Sequence, residues 1–575
     1  MLKGCLEVFQ KKYEEKGEKL ITDSCVLSEG TYVLVHSNGN IIEILEIDKK
    51  SSDKDDRYYD FALMDYFSKL VDINKPIDPH KIIHSNNYLS FFIKKENVNV
   101  EKLTENIIDN YYEILKNPRI KYKENIDKER RKIYELIDAK YGRSNYNLIQ
   151  KNKEWIKNNI FSLINKVAKN KNYLKIFFQY DIDLYKKESA KYVIPNIYNS
   201  PRYNFQVDNI TYGLPNDNMG LNSKKPFLRN KTRKNSLPYL ISINEAILQK
   251  NFFDYLFNNA CRGKTNIYIG NGDIKCLSNM EYLNDKFSGY FLRTIKSKEI
   301  EILDFDTIVG FDNKISGLFV NKVIPIDSVK VKGSLTSKYG EIKQINKLKK
   351  IINDVFFYKI LFENYFTNPR DIKTNDFVIK ENLIKSRGAF FNWFYKGDAT
   401  IIKQIFDKTS MEIIKDSICN NYREKAKQQF NLRCGILNYF TGESDMEDIL
   451  NKIVSSLREK IMMKQIVGFD NDYEYYFVIG QILSYLVCLN EPLNELLNGS
   501  DKTMFSLIVP ILNCKRDEKL KESLEKLLNR YNYILKKENK NFDNLRTMVL
   551  NYQVKSAVND NFMVAGFLYS DLINE

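Results

Sequence analysis

Six cationic side chains crowd into GLNSKKPFLRNKTRKNSLPYL, residues 220–240: Lys224, Lys225, Arg229, Lys231, Arg233 and Lys234. The stretch holds no Asp or Glu and is broken by Gly220, Pro226 and Pro238. A solvated helix face interleaves acids with its bases, so this run reads either as a solvated loop or as a grip on a polyanion. The missing acids favour the grip. Gly and Pro leave backbone N–H groups free to face phosphates beside the Lys and Arg heads. Arg233 can take a phosphate or a guanine edge through two parallel hydrogen bonds. Asn222 can read an adenine edge or cap a turn.

A second stretch, His84-Ser-Asn-Asn-Tyr-Leu-Ser-Phe-Phe92, opens into two lysines, Lys94 and Lys95. Ser-Asn-Asn is turn chemistry, because these side chains bond their own backbone. On a plain reading it leads into a core element. On a sharper one, Asn86 and Asn87 face a groove and bond base edges.

Catalytic patterns are scarce. Cys261-Arg-Gly-Lys-Thr265 ends like a phosphate-binding loop, but the glycine required five residues before Gly263 is Asn258. There is no HExxH, paired HD or GxSxG. The three histidines are His36, His80 and His84, and none of the eight cysteines sits in a CxxC pair. We therefore expect no metal, no cofactor and no enzyme active site, and reduced thiols of a cytosolic protein. A nuclease built on unmarked carboxylates is the alternative, and a basic scaffold whose charge is compositional is another.

Around these residues stands a chain of 575 residues, 43% hydrophobic, with 38 Tyr and 35 Phe. That is enough for packed cores and two to four domains. The net charge is +15. Residues 441–575 carry 16 basic and 20 acidic side chains, so the first 440 hold a net +19. An AT-rich genome would add lysine everywhere, so the asymmetry assigns the polyanion to the first three-quarters. The N-terminus reads as a helix stopped by Gly17 and not as a secretory signal. The longest apolar run, Tyr475–Leu489, is too short to span a bilayer and contains Gln481.

The elements that must position these residues follow an α+β pattern. Residues 1–100 read as mixed α/β, with a hairpin at Asn38-Gly39. Residues 101–394 read as helices to about 185, an irregular basic segment at 190–240, then hairpins at Asn271-Gly272 and around Asp312 and Asn313. From 395 to 575 the pattern is a helical bundle. It has a capping box at Ser444–Glu447, a central apolar helix stopping before Pro492, and a leucine stripe from Leu520 to Leu535.

The segments LEVFQKKYEEKGEKLI, HSNNYLSFFIKKE, GLNSKKPFLRNKTRKNSLPYL, FVIGQILSYL and MVAGFLYSDL occur in this order from near residue 1 to near residue 570. Together they resemble the large subunit of the type I-B CRISPR Cascade effector. The resemblance implies a cytoplasmic, non-catalytic component of an RNA-guided surveillance complex. Such a subunit senses the protospacer-adjacent motif in target duplex, helps to open it, stabilises the R-loop, and lets a separate helicase-nuclease dock. Its implied partners are CRISPR RNA, target double-stranded DNA, and the backbone, handle-binding and small subunits, with no membrane. In this light Asn86 and Asn87 are candidates for motif sensing. Lys515, Arg516, Lys519, Lys526 and Arg530 are candidates for the displaced strand. The small subunit of this subtype can arise by internal translation, for which Met446 and Met462 are candidate starts.

Overall fold

A computed structural model describes residues 2–48, 56–121, 128–200, 203–208, 210–216, 240–297, 299–326, 340–442, 446–463, 467–496, 508–530, 532, 535 and 539–574. The fold is mixed α+β, with its sheets in the N-terminal and middle regions and helices towards the C-terminus. It divides into two units, residues 1–279 with 288–307, and residues 280–287 with 308–575.

In the first unit, β1 (Gly30–Val35), β2 (Ile41–Ile47), β3 (Ser90–Lys94) and β4 (Tyr173–Phe178) form one sheet in the order β2-β1-β4-β3. The Asn38-Gly39 turn joins β1 to β2, with Gly39 at φ +95. β4 falls within residues whose sequence pattern predicts helix. It is a central strand, parallel to β1 and antiparallel to β3. Both of its faces are covered, so YLKIFF shows no period-two alternation to betray a strand. This pairing also joins residues on either side of 100 in one sheet, where a boundary was expected.

The sheet packs against α3 (Asp56–Ser68), α4 (Glu105–Lys116), α6 (Tyr146–Leu163) and α7 (Ile182–Asn196) over a core that includes Tyr32, Phe61, Phe91, Ile108, Ile156 and Phe177. α5 (Lys128–Tyr141) lies along α7. An ion pair is taken inside. Lys175 of β4 places Nζ 2.6 Å from Oδ1 of Asp65, whose Oδ2 lies 2.9 Å from Lys69.

A second sheet, ordered β11-β10-β8-β9, comprises β8 (Asn266–Gly270), β9 (Asp273–Leu277), β10 (Phe287–Lys296) and β11 (Ile300–Phe311). It packs on α1 (Leu2–Lys16), α2 (Lys19–Thr22) and α8 (Ile243–Cys261) through Cys5, Phe9, Ile21, Phe252, Leu256 and Ile267. Asn271 and Gly272, at φ +53 and +71, make the expected two-residue turn. Gly17, at φ +61, ends α1.

The hairpin expected at Asp312 and Asn313 does not form. β11 pairs with β10, while β12 (Phe319–Val320) pairs with β13 (Gly340–Glu341). Asn313 instead accepts the N–H of Ile345 on its carbonyl and that of Asn346 on Oδ1, capping α9 (Ile345–Val355) from a distance.

The second unit continues with α10 (Phe377–Phe391), α11 (Thr400–Cys419), α12 (Arg423–Thr441), α13 (Met446–Met462), α14 (Asp472–Leu496), α15 (Asp517–Arg530), α16 (Lys540–Asn551) and α17 (Asp560–Leu568). Residues 308–394 belong with these helices, so the expected boundary at 394 falls inside one unit. Ser444 lies outside the described residues. α14 runs on to Leu496, beyond the stop expected before residue 492. Met446 and Met462 are the first and last residues of α13.

α14 and α17 cross at two glycines. A Cβ on Gly480 would run into the carbonyl of Met563, and one on Gly566 into the carbonyl of Phe477. Gln481, the polar residue of this apolar helix, donates to the Gly566 carbonyl at 2.5 Å and accepts the Leu572 N–H at 2.9 Å. Among the described residues no helix is long and apolar enough to cross a membrane.

Candidate nucleic-acid interface

Asn222, Lys224, Lys225, Arg229, Lys231, Arg233 and Lys234 lie outside the described residues. β5 (Phe205–Val207), β6 (Ile210–Gly213) and β7 (Ile241–Ser242) form a three-stranded antiparallel sheet. β6 leads out towards the basic segment, and β7 brings the chain back beside it, with Gly213 opposite Ile241.

Tyr198 closes this gate. Its hydroxyl lies 2.9 Å from the Thr211 carbonyl on β6 and 2.8 Å from the Ile241 carbonyl on β7. Gly213 permits the approach, since a Cβ there would stand 2.6 Å from the Tyr198 ring. The Asn216 N–H donates to the Ile197 carbonyl at 2.8 Å. Ser242 and Glu245 form a capping box that starts α8 directly after β7. The described residues on either side of the cationic segment are thereby fixed to one small sheet.

Asn86 and Asn87 are each only 1% exposed. Asn86 donates through Nδ2 to the Lys69 carbonyl at 2.7 Å and to Ser189 Oγ at 3.3 Å. Asn87 donates to Asn86 Oδ1 at 2.7 Å and to the Phe67 carbonyl at 3.3 Å, and its own Oδ1 accepts the Leu89 N–H at 2.9 Å. The amides hold α3, α7 and the start of β3 together. This corrects the expectation that they present themselves to base edges: buried carboxamides satisfy each other and the backbone first, because an unmet buried polar group costs about 1–3 kcal/mol.

The two residues do stand at the floor of a cavity of about 460 Å³ between the C-terminal end of α4 and the N-terminal end of α6. Its rim carries Lys116, Arg119 and Arg143. Lys116 lies over the Tyr146 ring at 4.2 Å, and Arg119 pairs with Asp138 at 3.2 Å. Arg143 is exposed and makes no ion pair among the described residues. Lys191 and Glu188, deeper in, pair at 2.7 Å. Sequence reading missed this rim, because its cations sit on separate helix ends and only the fold brings them together.

On the second unit, Lys519, Lys526 and Arg530 recur at steps of seven and four along α15, which sets them on one helical face beside the buried stripe of Leu520, Leu524, Leu527 and Leu528. Lys515 pairs with Asp560 at 2.9 Å and Lys526 with Glu522 at 2.5 Å. Arg516, Lys519 and Arg530 are exposed and make no ion pair among the described residues.

No family model, curated protein or solved structure matches this chain.

The remaining sequence motifs find structural uses. Gly263, at φ +74, follows the end of α8 and leads into β8. That is helix-to-strand order, the reverse of a phosphate loop, which needs a helix N-terminus after the glycines. His84 lies 2.6 Å from the Tyr173 hydroxyl and 2.8 Å from the Lys81 carbonyl. Burial pulls its pKa below the ordinary value. Among the described residues no group of three His, Cys, Asp or Glu side chains is placed to hold a metal.

Proposed function

We propose that the chain is a non-catalytic, DNA-sensing large subunit of an RNA-guided surveillance complex of the type I-B CRISPR Cascade kind, acting in the cytoplasm in antiviral defence. The observation that supports the reading is the acid-free cationic segment at 220–240, whose flanking strands β6 and β7 are adjacent and joined by Tyr198. The ordered sequence resemblance and the positive balance of the first 440 residues support it.

In this role the chain pairs no bases itself. Opening a duplex costs roughly 1.4 kcal/mol per base-pair step, and guide pairing returns about as much. Protein contacts therefore decide whether the first pairs open. The segment's lysines and arginines supply phosphate contacts that weaken with salt. The cavity rim at Lys116, Arg119 and Arg143 is the candidate for contacts near the motif. The α15 face offers Lys519, Lys526 and Arg530 to the displaced strand. The helical second unit packs on neighbouring subunits and offers a surface to the helicase-nuclease.

The test is reconstitution with guide RNA and the backbone and handle-binding subunits. Target duplex carrying the correct flanking motif should bind only when this chain is present, and the chain with Mg²⁺ alone should not cut DNA. Catalytic turnover by the purified chain would replace this reading with the nuclease alternative.

A further inference from the structure

Behind the rim of Lys116, Arg119 and Arg143 lies a space of about 460 Å³ that a duplex passing over the rim would not fill. That volume falls within the range of about 300–1,000 Å³ found for small-molecule sites. The buried side chains of Ile77, Leu115, Tyr134 and Tyr192 give it apolar walls. Tyr192 spends its hydroxyl on the Lys75 carbonyl at 2.8 Å.

The polar groups at depth form a closed unit. Glu188, 6% exposed, accepts the Ser144 hydroxyl on Oε2 and the Lys191 ammonium on Oε1, each at 2.7 Å. This pair is neutral as a whole. Each carboxylate oxygen carries two lone pairs, so Glu188 can still accept an N–H from a bound molecule.

The mouth is different. Lys116, Arg119 and Arg143 share it with a single carboxylate, Asp138, which takes Nη2 of Arg119 at 3.2 Å. Glu113, outside the lining, reaches Lys116 only at 3.9 Å. The Arg119 Nε–H is buried and meets no acceptor among the described residues. A buried donor left unmet is costly, and an anionic acceptor in the cavity would satisfy it. Arg143 makes no ion pair among the described residues. Gly142, at φ +71, turns the chain out of α5, and Asn145 caps α6, so Arg143 is held between two fixed helix ends.

The lining thus sets four cations, Lys191 included, against two carboxylates. An excess of two positive charges matches a phosphate monoester, which carries about −1.5 to −2 at neutral pH. The internal phosphates of a strand carry one charge each, and the strand must continue past them, which a floored cavity does not allow. The apolar walls suit a flat ring, and Ser144 and Glu188 are the few polar groups that fix its orientation.

We infer that the cavity between α4 and α6 binds a single nucleoside monophosphate, with the base inside against Tyr134 and Tyr192 and the phosphate at the mouth on Lys116, Arg119 and Arg143. This goes beyond the DNA-sensing reading and does not depend on it.

The experiment is isothermal titration calorimetry of the full-length chain with AMP, GMP, CMP and UMP, each beside its nucleoside, and with inorganic phosphate. At least one nucleotide should bind wild type with a Kd below about 1 mM. Its nucleoside and inorganic phosphate should each bind about tenfold or more weakly. R143E should weaken the nucleotide by about tenfold or more and leave thermal melting unchanged, since Arg143 is exposed. A nucleoside or inorganic phosphate that binds as tightly as the nucleotide overturns the assignment, and so does an R143E chain that melts and binds like wild type. If wild type takes no nucleotide but supports binding of motif-bearing duplex in the reconstituted complex, the cavity site falls and the DNA-sensing reading stands. If the nucleotide binds and the duplex does not, the cavity site stands alone.

Discussion

Asn87 donates its carboxamide N–H to Oδ1 of Asn86 at 2.7 Å, beneath the floor of the cavity that Lys116, Arg119 and Arg143 rim. The pair is a structural knot under a charged opening. N87A breaks its bonds to Phe67, Asn86 and Leu89 and strands their buried partners. We expect a loss of about 2–3 kcal/mol in urea unfolding. The ratio of affinities for motif-bearing and motif-free DNA should stay as in wild type, whereas a selective loss on motif-bearing DNA would return Asn87 to the interface.

Asp65 gives a second test, with a defined pH dependence. Burial alone would raise its pKa, but Lys175 and Lys69 more than offset this and hold it below the ordinary carboxylate value of 3.8. The folded form thus releases its proton more readily than the unfolded chain. The stabilisation is complete above about pH 4 and is lost as pH falls through the lowered value. At neutral pH D65N leaves Lys175 buried without its counter-charge and should cost about 3–5 kcal/mol, read by chemical denaturation.

The helix crossing at Gly480 and Gly566 leaves no room for a methyl group. G566A should force α14 and α17 apart and cost about 3 kcal/mol or more, at or beyond the usual range for overpacking. Thermal unfolding of the second unit measures it. A melting temperature within a degree of wild type would contradict the crossing.

Asp416 carries the opposite sign from Asp65. Burial first, and then the charge of Asp376, push its carboxyl up to about 6. Folding takes up a proton between the ordinary value of 3.8 and about 6, so stability from this group falls as pH rises through that window. D416N should leave stability unchanged near pH 3.5. Near pH 7.5 it should raise stability by under about 1 kcal/mol, because the site is half open to screening solvent.

Local signals carried much of the fold. Asn38-Gly39, Asn271-Gly272 and Gly17 act within a few residues, and each formed where its chemistry placed it, while the leucine stripe expected to Leu535 holds through Leu528, since α15 ends at Arg530. What failed was non-local. β4 is invisible because a strand buried on both faces loses its alternation. Asn313 looked like a turn residue and caps a distant helix start. The same limit governs the site. Composition singled out the cations at 220–240, but nothing in it reveals that Asn86 and Asn87 spend their amides internally, or that Lys116, Arg119 and Arg143 surround one opening.

The most direct measurement is the salt dependence of DNA binding by the purified chain, wild type against the variant with Lys224, Lys225, Arg229, Lys231, Arg233 and Lys234 all changed to Ala. Each phosphate contact adds about 0.7 to 0.9 to the slope of log affinity against log salt. If the six cations grip phosphates, the variant's slope is shallower by about 4 to 5, and its affinity at low salt collapses. Equal slopes and equal affinities would show that the segment touches no nucleic acid.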